Sequence, residues 1–259
     1  KDLDDYAVNG NMVAYHLIDI ADPGEEYNVF RFQGDFLEAF NAISGRGKQA
    51  IMCGGTGMYL ESVLLHYDLR EVPENKKLRD ELSVLDHEAL IKRLSVHRQL
   101  HNVTDTRDRE RMIRAIEIAE NKEGQHKITN ELSKISHLVF GIRLPREEIR
   151  NKITIRLKQR LNDGMAEEVE NLLSKGLTPA QLDFYGLEYR YLTQFVSGEI
   201  NYNDMFQRLN SAIHQFAKRQ QTWFRRMEKK GVVINWIDGN LDKDQKLEII
   251  QDHISSTSK

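Results

Sequence analysis

The pattern of apolar and polar positions predicts helices interspersed with a few short strands. Apolar residues recur at three- and four-residue steps over 29–45 and 203–230, which predicts two amphipathic helices, the second unusually long. A short continuous apolar run at 50–53 is typical of a strand buried on both faces of a parallel sheet. Two further strands are predicted at 137–144 and 232–237, and shorter helices at 147–161 and 165–175.

The texture changes between residues 69 and 136, where charged residues dominate and β-branched runs disappear. Three segments there have helical patterns, at 74–85, 88–94 and 108–121, with Asp105 or Thr106 as a candidate cap for the third. The sequence therefore predicts a small all-helical insertion at 69–136, set into a core formed by 1–68 and 137–259.

The predicted strand at 50–53 runs directly into a glycine-rich turn. The turn consists of Gly54, Gly55, Thr56 and Gly57, and an apolar pattern at helical spacing follows it. Glycines let the backbone turn sharply and come close to a ligand, and ligands bind at the carboxyl ends of strands in open α/β sheets. An ordinary strand–turn–helix corner has the same pattern, so both interpretations stay open.

Length and composition limit the number of domains and the compartment in which the protein is expected. The 259 residues can form one large domain or two modest ones, and the formal net charge is −3. The single cysteine, Cys53, excludes an internal disulfide and is typical of a reducing compartment; its place in the predicted strand favours an inert core thiol. No run of about 18 apolar residues is present, so we expect a soluble, cytoplasmic protein without a membrane partner.

Charge is distributed unevenly, and the long helix is its most basic part. Leu209, Ile213, Phe216, Gln220, Trp223 and Met227 share one face, and Lys218, Arg225 and Lys229 lie on the opposite face. The segment 208–230 carries seven positive charges and one negative charge. A solvated face is one explanation, but such faces normally mix signs. A stripe of one sign indicates a polyanionic partner, phosphate or nucleic acid.

Two further basic sets lie outside the long helix. The first consists of Arg143, Arg146, Arg150, Lys152, Arg156 and Arg160. It could pair with Glu147, Glu148 and Asp163 at the surface, or could neutralise a diphosphate, which the arginine fork fits well. The second consists of Arg107, Arg109, Arg111 and Arg114, whose acidic neighbours favour a solvated face.

Taken together, stretches along nearly the whole chain resemble the tRNA dimethylallyltransferases, also called tRNA isopentenyltransferases. Their order and spacing carry the resemblance rather than any single motif. The matching stretches are 16–19 (HLID) with Asp22, Pro23 and Tyr27; 54–59 (GGTGMY); Arg111 with 114–117 (RAIE); Pro145 and Arg146 with Arg156 and Gly164; 186–189 (GLEY); and 217–220 (AKRQ) with 222–225 (TWFR).

The resemblance implies a P-loop NTPase-like α/β fold, a parallel sheet flanked by helices, with an all-helical insertion. It implies transfer of a dimethylallyl group from dimethylallyl diphosphate, with Mg²⁺, to the exocyclic amine of the adenosine 3′ of the tRNA anticodon. No protein ligand to a metal is assigned. We expect a monomer, because the sequence has no surplus apolar stripe.

The resemblance also implies residue roles. Arg156 would act on the diphosphate, assisted by Arg146 and Lys152. Thr56 would serve catalysis in a substrate channel formed with Gly54, Gly55 and Gly57. The expected tRNA-binding residues are Arg111, Arg114, Gly186, Leu187, Glu188, Tyr189, Arg190, Lys218, Arg219, Gln220, Thr222, Trp223 and Arg225.

The sequence departs from the family pattern in two places. Tyr15 stands where the family has the first of two histidines. The family's opening strand, glycine-rich P-loop and Asp-Ser motif with its general base are not found, so we expect this chain alone to be inactive. A P-loop kinase of small molecules, an adenylate isopentenyltransferase and a non-catalytic RNA-binding fragment are the alternatives; the basic helix favours a tRNA substrate over a free nucleotide.

Overall fold

Helices make up most of the part of the chain that the structure describes. The computed structural model describes residues 6–8, 10–69, 71–97, 108–121 and 127–257. Its elements, in chain order, are β1 (Ala7–Val8), β2 (Asn11–Met12), α1 (Val29–Gly45), α2 (Gly57–Leu64), α3 (Lys76–Ser83), α4 (His87–His97), α5 (Arg109–Glu120), α6 (Lys127–Leu132), β3 (Val139–Arg143), α7 (Arg146–Asn162), α8 (Met165–Ser174), α9 (Pro179–Phe184), α10 (Leu187–Val196), α11 (Tyr202–Lys229), β4 (Ile234–Asp238) and α12 (Lys243–Thr257).

The strands form two small ladders. β3 and β4 pair in parallel, with Val139 opposite Ile234 and Arg143 opposite Asp238, whereas β1 and β2 form a short antiparallel ladder. The strands predicted at 137–144 and 232–237 are thus confirmed. Both ladders consist of two strands within the described residues.

The strand predicted at 50–53 is wrong. These residues have no regular secondary structure; Ile51 is 88% exposed and Cys53 is also exposed. A strand exists only where another strand accepts its hydrogen bonds, and in the described part of the chain β3 and β4 bond only to each other. Cys53 is therefore a surface thiol, not the core thiol that the apolar run predicts.

The largest core lies where α7, α8, α9, α10 and α11 meet. Its buried members are Leu157, Met165, Val169, Leu182, Leu192, Met205 and Leu209. Thr178 and Gln181 form a capping box at the start of α9, with proline at the first helical position. Gly186 has φ +123° between α9 and α10, a conformation that favours glycine and lets the chain reverse there. The long helix predicted over 203–230 is confirmed as α11.

The three helices predicted at 74–85, 88–94 and 108–121 are present as α3, α4 and α5. They share a separate core formed by Leu82, Leu90, Leu94, Met112 and Ile116. Asp108 caps α5 by accepting a hydrogen bond from the backbone N–H of Arg111. The predicted caps Asp105 and Thr106, and Arg107, lie outside the described residues. The domain boundaries at 69 and 136 stay a prediction.

A third apolar cluster joins the helix that follows the glycine turn to the long helix and the sheet. Leu64 of α2 packs with Met227 of α11 and with Val232, which precedes β4. Val139 of β3 and Ile234 of β4 extend the cluster. The helix α2, which begins at the glycine turn, is consequently anchored between α11 and the parallel ladder.

Candidate active site

The glycine turn ends at the first residue of α2. Thr56 is the N-cap residue of α2, yet its side chain makes no capping hydrogen bond and the residue is exposed. Gly54 is exposed beside it, and a Cβ there would meet no atom within 4 Å. The hydroxyl of Thr56 and the open backbone at Gly54 are thus accessible to a ligand.

Gly55 and Gly57 are held against the long helix. The side-chain amide of Gln220 donates a hydrogen bond of 3.0 Å to the carbonyl oxygen of Gly55. A Cβ at Gly55 would lie 2.7 Å from Gln220 Nε2, and one at Gly57 would lie 2.4 Å from Cδ1 and Cγ of Trp223. Both glycines therefore permit close packing of the turn on α11, which the sequence pattern alone does not reveal.

A buried carboxylate lies one helical turn after Gly57. The side chain of Glu61 has no exposed surface; its Oε2 lies 2.5 Å from Nη2 of Arg226, and its Oε1 lies 2.7 Å from Nζ of Lys230. The hydroxyl of Tyr67 donates a further hydrogen bond to Glu61 at 2.7 Å. Burial acts to raise the pKa of Glu61, but the hydrogen bonds from Lys230, Arg226 and Tyr67 outweigh it, so its pKa lies below the ordinary value.

Sequence reasoning missed this cluster. Glu61 lies in the largely apolar helix α2, and the sequence does not reveal its role because its partners Arg226 and Lys230 lie 165 and 169 residues further along the chain. A charged residue inside the apolar pattern of a helix is the signal that could have found it, since buried carboxylates are normally paired.

The cations of the long helix consequently fall into two groups. Lys218, Arg219 and Arg225 are exposed and form no ion pair within the described part of the chain. Arg226 instead binds Glu61 and lies over the indole ring of Trp223, with its guanidinium carbon 4.0 Å from the ring centroid. The first group is free to bind phosphates and the second holds the fold together.

The predicted diphosphate cations lie on α7. Arg146, Lys152 and Arg156 are exposed and have no acidic partner among the described residues. By contrast, Arg150 lies 3.7 Å from Glu147 and Arg160 lies 3.6 Å from Glu188. Surface pairing therefore accounts for Arg150 and Arg160, whereas the three residues predicted to bind diphosphate are unpaired in the described structure.

The same long helix also holds α7. The hydroxyl of Thr154 donates a hydrogen bond of 3.1 Å to Oδ1 of Asn210, and Leu157 packs with Leu209 in the largest core. No hydrogen bond within the described residues joins Arg156 directly to the glycine turn. Both contact α11, which thus fixes the position of the glycine turn relative to α7.

Comparison with known proteins identifies the family. The model of the family described as IPP transferase matches residues 7–227. The chain belongs to the IPP transferase family. A curated relative from Phocaeicola vulgatus, tRNA dimethylallyltransferase 2, is 52% identical over 250 residues, which cover 96% of this chain and 81% of the relative. A second relative, tRNA dimethylallyltransferase 1 of Geotalea daltonii, is 54% identical over 243 residues, 93% of this chain and 77% of the relative.

Solved structures place the fold in the same family. The full-length tRNA isopentenylpyrophosphate transferase of Bacillus halodurans superposes with a TM-score of 0.63 at 25% identity, over 93% of this chain and 77% of that chain. A eukaryotic dimethylallyltransferase acting on tRNA gives a TM-score of 0.67 at 21% identity, over 93% and 65%. The predicted fold class, the P-loop-like α/β fold of tRNA isopentenyltransferases, is confirmed by this likeness.

In this IPP transferase, the segment 186–190 is fixed by contacts within the chain. Tyr189 donates a hydrogen bond of 2.7 Å from its hydroxyl to Glu168, and burial, followed by this bond, raises the pKa of Tyr189. The guanidinium of Arg190 pairs with Asp183. Leu187 packs on the largest core. The tRNA contacts predicted for these residues, and for Gly186 and Glu188, stay predictions.

The two arginines predicted to reach tRNA from the helical insertion differ in their surroundings. Arg111 is exposed, with its side chain 3.3 Å from Asp108. Arg114 donates to the carbonyl oxygen of Val72 at 2.7 Å and to the buried carboxylate of Glu117 at 2.5 Å. Arg114 therefore has a structural role that the sequence did not indicate, and its contact with tRNA stays a prediction.

Neither a metal cluster nor a membrane helix is found in the described part of the chain. No group of three or more His, Cys, Asp or Glu side chains could hold a metal ion there. None of the helices in that part is long and apolar enough to cross a membrane.

Proposed function

We propose that this IPP transferase transfers a dimethylallyl group from dimethylallyl diphosphate to the exocyclic amine of the adenosine 3′ of the anticodon in tRNA. The names of its relatives, tRNA dimethylallyltransferases at 52% and 54% identity, support this activity. The observation that carries the proposal is the contact between the glycine turn and the basic helix α11, made by Gln220 and Trp223.

One helix carries both parts that the reaction needs. Gln220 and Trp223 contact the turn, and Lys218, Arg219 and Arg225 stand unpaired within one to five residues of them on α11. Cations on a rigid helix bind phosphates and fix the register of the RNA. A base must leave its stack before its exocyclic amine can react, and the open backbone at Gly54 and the hydroxyl of Thr56 lie beside this helix to receive it.

The chemistry accounts for the role proposed for α7. The amine nitrogen attacks the allylic carbon, the carbon–oxygen bond to diphosphate breaks, and the amine loses a proton. Negative charge grows on the departing diphosphate, so cations that bind it lower the barrier. Arg156, Arg146 and Lys152 are available for this role because no carboxylate pairs with them in the described structure.

Mg²⁺, the cytoplasmic location and the monomeric state are parts of the same proposal. Mg²⁺ is commonly bound through substrate phosphates with few protein ligands, and we propose that it enters this site with the diphosphate. A tRNA substrate supports the proposal of a cytoplasmic enzyme. The tRNA contacts proposed for Arg111, Arg114, Gln220, Thr222, Trp223 and the segment 186–190 complete the interface.

A transfer assay tests the proposal directly. The purified full-length protein is incubated with dimethylallyl diphosphate, Mg²⁺ and an unmodified anticodon stem-loop, and the RNA is digested for mass spectrometry. We expect the mass of one dimethylallyl group on the adenosine 3′ of the anticodon, and none on a stem-loop with guanosine there.

Two further substrates separate the alternatives. Free AMP should be a poor acceptor, because it offers no backbone to the cations of α11. Efficient transfer to free AMP would favour an adenylate isopentenyltransferase. Phosphoryl transfer from ATP to a small molecule, without prenylation of RNA, would favour a kinase and contradict the proposal.

A further inference from the structure

Glu61, Arg226, Trp223 and Gly57 form a closed loop of contacts between α2 and α11. Glu61 follows Gly57 by four residues on α2, and Arg226 follows Trp223 by three residues on α11, so each pair lies on one helix face. Glu61 binds Arg226, Arg226 covers the ring of Trp223, and that ring fills the space beside Gly57. The two helices are thereby joined at two levels.

The ring of Trp223 depends on this arrangement for its orientation. Its indole N–H is buried and has no hydrogen-bond partner among the described residues, so no polar contact there fixes the ring. Packing with Leu64 and Met227 holds one side of the cluster, and the guanidinium of Arg226 covers the ring. Arg226 is in turn held by the carboxylate of Glu61.

We propose that Glu61 is a positioning residue for dimethylallyl transfer: it holds Arg226 on Trp223, and so fixes the glycine turn relative to the RNA-binding face of α11. This inference rests on the proposed function. The same carboxylate neutralises Arg226 and Lys230, which would otherwise add to the cations available to RNA phosphates.

The charges of Glu61, Arg226 and Lys230 allow a positioning role of Glu61 to be distinguished from a role in stability alone. Glu61 is ionised at neutral pH because its pKa lies below the ordinary value, and it compensates two cations with one buried charge. Removing the charge of Glu61 would weaken the contact between the glycine turn and α11. It would also free Arg226 and Lys230 to bind RNA phosphates. Turnover should therefore fall while RNA binding is kept or strengthened, which loss of stability alone cannot produce.

The test replaces the charge and keeps the shape, with Glu61→Gln in the full-length protein at a temperature where circular dichroism shows the variant folded. We expect kcat to fall by up to about 100-fold, the cost of a displacement of roughly 1 Å at a reacting group. The Kd for the anticodon stem-loop should fall or stay unchanged, and log Kd should depend more steeply on log salt, by up to about 0.7 for each released cation. Unchanged kcat, or equal losses in kcat and RNA binding without a change in slope, would overturn the inference.

Two further variants test whether Glu61 acts through Arg226 and whether loss of any paired carboxylate has the same effect. If Glu61 acts through Arg226, the double variant Glu61→Gln with Arg226→Gln should lose no more turnover than Arg226→Gln alone, whereas additive losses would contradict this route. Glu120→Gln is the matched control: it removes a carboxylate that accepts two hydrogen bonds from Arg93 in the helical insertion, away from the turn. Its kcat should match that of the wild type.

Hydrogen exchange separates failure of the inference from failure of the proposed function. If the wild-type protein transfers no dimethylallyl group, the proposed function is wrong. The positioning role of Glu61 is then tested by hydrogen exchange alone. Backbone amides of residues 54–64 should exchange faster in Glu61→Gln than in the wild type and in Glu120→Gln. Equal exchange in all three proteins would overturn the positioning role.

Discussion

The indole ring of Trp223 occupies the space that a side chain at Gly57 would need. A Cβ at Gly57 would lie 2.4 Å from two ring atoms, closer than real Cβ contacts allow. Gly57 is not among the residues with positive φ, so glycine is required there by the approach of α11 and not by backbone conformation. The glycine turn is thus partly a packing motif between two helices.

Gly57→Ala should lower the free energy of unfolding by about 1–3 kcal/mol, because the added methyl group must displace an anchored ring. Urea denaturation followed by circular dichroism measures this change. Gly54→Ala is the matched control within the same turn, since a Cβ there meets nothing within 4 Å. Equal stability of the two variants would contradict the packing role of Gly57.

Replacing Lys218 and Arg225 together by alanine should weaken binding of the anticodon stem-loop. Each lost phosphate contact should reduce the slope of log Kd against log salt by about 0.7–0.9. Fluorescence anisotropy over a salt series measures both quantities. Alanine at Lys175 and Lys243, two exposed lysines outside the candidate site, is the charge-matched control. If both double variants lost the same affinity, the charged stripe of α11 would be no more than a solvated face.

Arg156→Ala should lower turnover by a factor of about 10²–10³ while leaving tRNA affinity nearly unchanged, if the guanidinium stabilises charge on the departing diphosphate as strongly as an oxyanion-hole donor does. Single-turnover kinetics with saturating stem-loop, together with a separate binding titration, make the distinction. Lys158→Ala removes another exposed cation of α7 and should have little effect on either quantity. Parallel losses of binding and turnover in Arg156→Ala would instead assign it to RNA recognition.

Glu117→Ala should destabilise the protein by about 1.5–3 kcal/mol at neutral pH, because Arg79 and Arg114, whose side chains are 35% and 39% exposed, lose their charge-assisted hydrogen bonds to it. Burial acts to raise the pKa of Glu117, but hydrogen bonds from Arg79, the backbone N–H of Asn75 and Arg114 lower it from 4.5 to about 2. A depressed pKa stabilises the folded state above the unfolded-state value, and this contribution is lost as the pH falls through the folded-state value.

The stability difference between wild type and Glu117→Ala should therefore be constant above pH 4.5 and shrink as the pH falls from 4.5 towards 2. Urea denaturation at a series of pH values measures it, and other carboxylates cancel in the difference. A difference that does not change over this interval would show that Glu117 is not preferentially ionised in the folded protein.

Local pattern predicted the helices well, because each depends on residues three and four positions apart. The segments 29–45, 147–161 and 203–230 agree with α1, α7 and α11 to within a residue or so at each end. The strand at 50–53 could not be decided in this way, since a strand depends on a partner elsewhere in the chain.

In the candidate site, too, the sequence predicted local features but not contacts between residues far apart in the chain. The sequence placed the glycine turn and the basic helix, but it could not show that Gln220 and Trp223 touch the turn, or that Arg226 and Lys230 are bound by Glu61. These contacts join residues more than 160 positions apart. Charge counted along a helix therefore overstates the cations available to RNA, because a buried carboxylate from another element removes two of them.

The 28 residues of α11 form one uninterrupted helix about 42 Å long. Met205 and Leu209 anchor its first half in the largest core, and Met227 anchors its last turn beside the sheet. Adding or deleting one residue between Leu209 and Gln220 would rotate everything beyond it by about 100° and shift it by about 1.5 Å. Gln220 and Trp223 would then leave the turn together. Over evolution, this stretch should therefore accept no change in length.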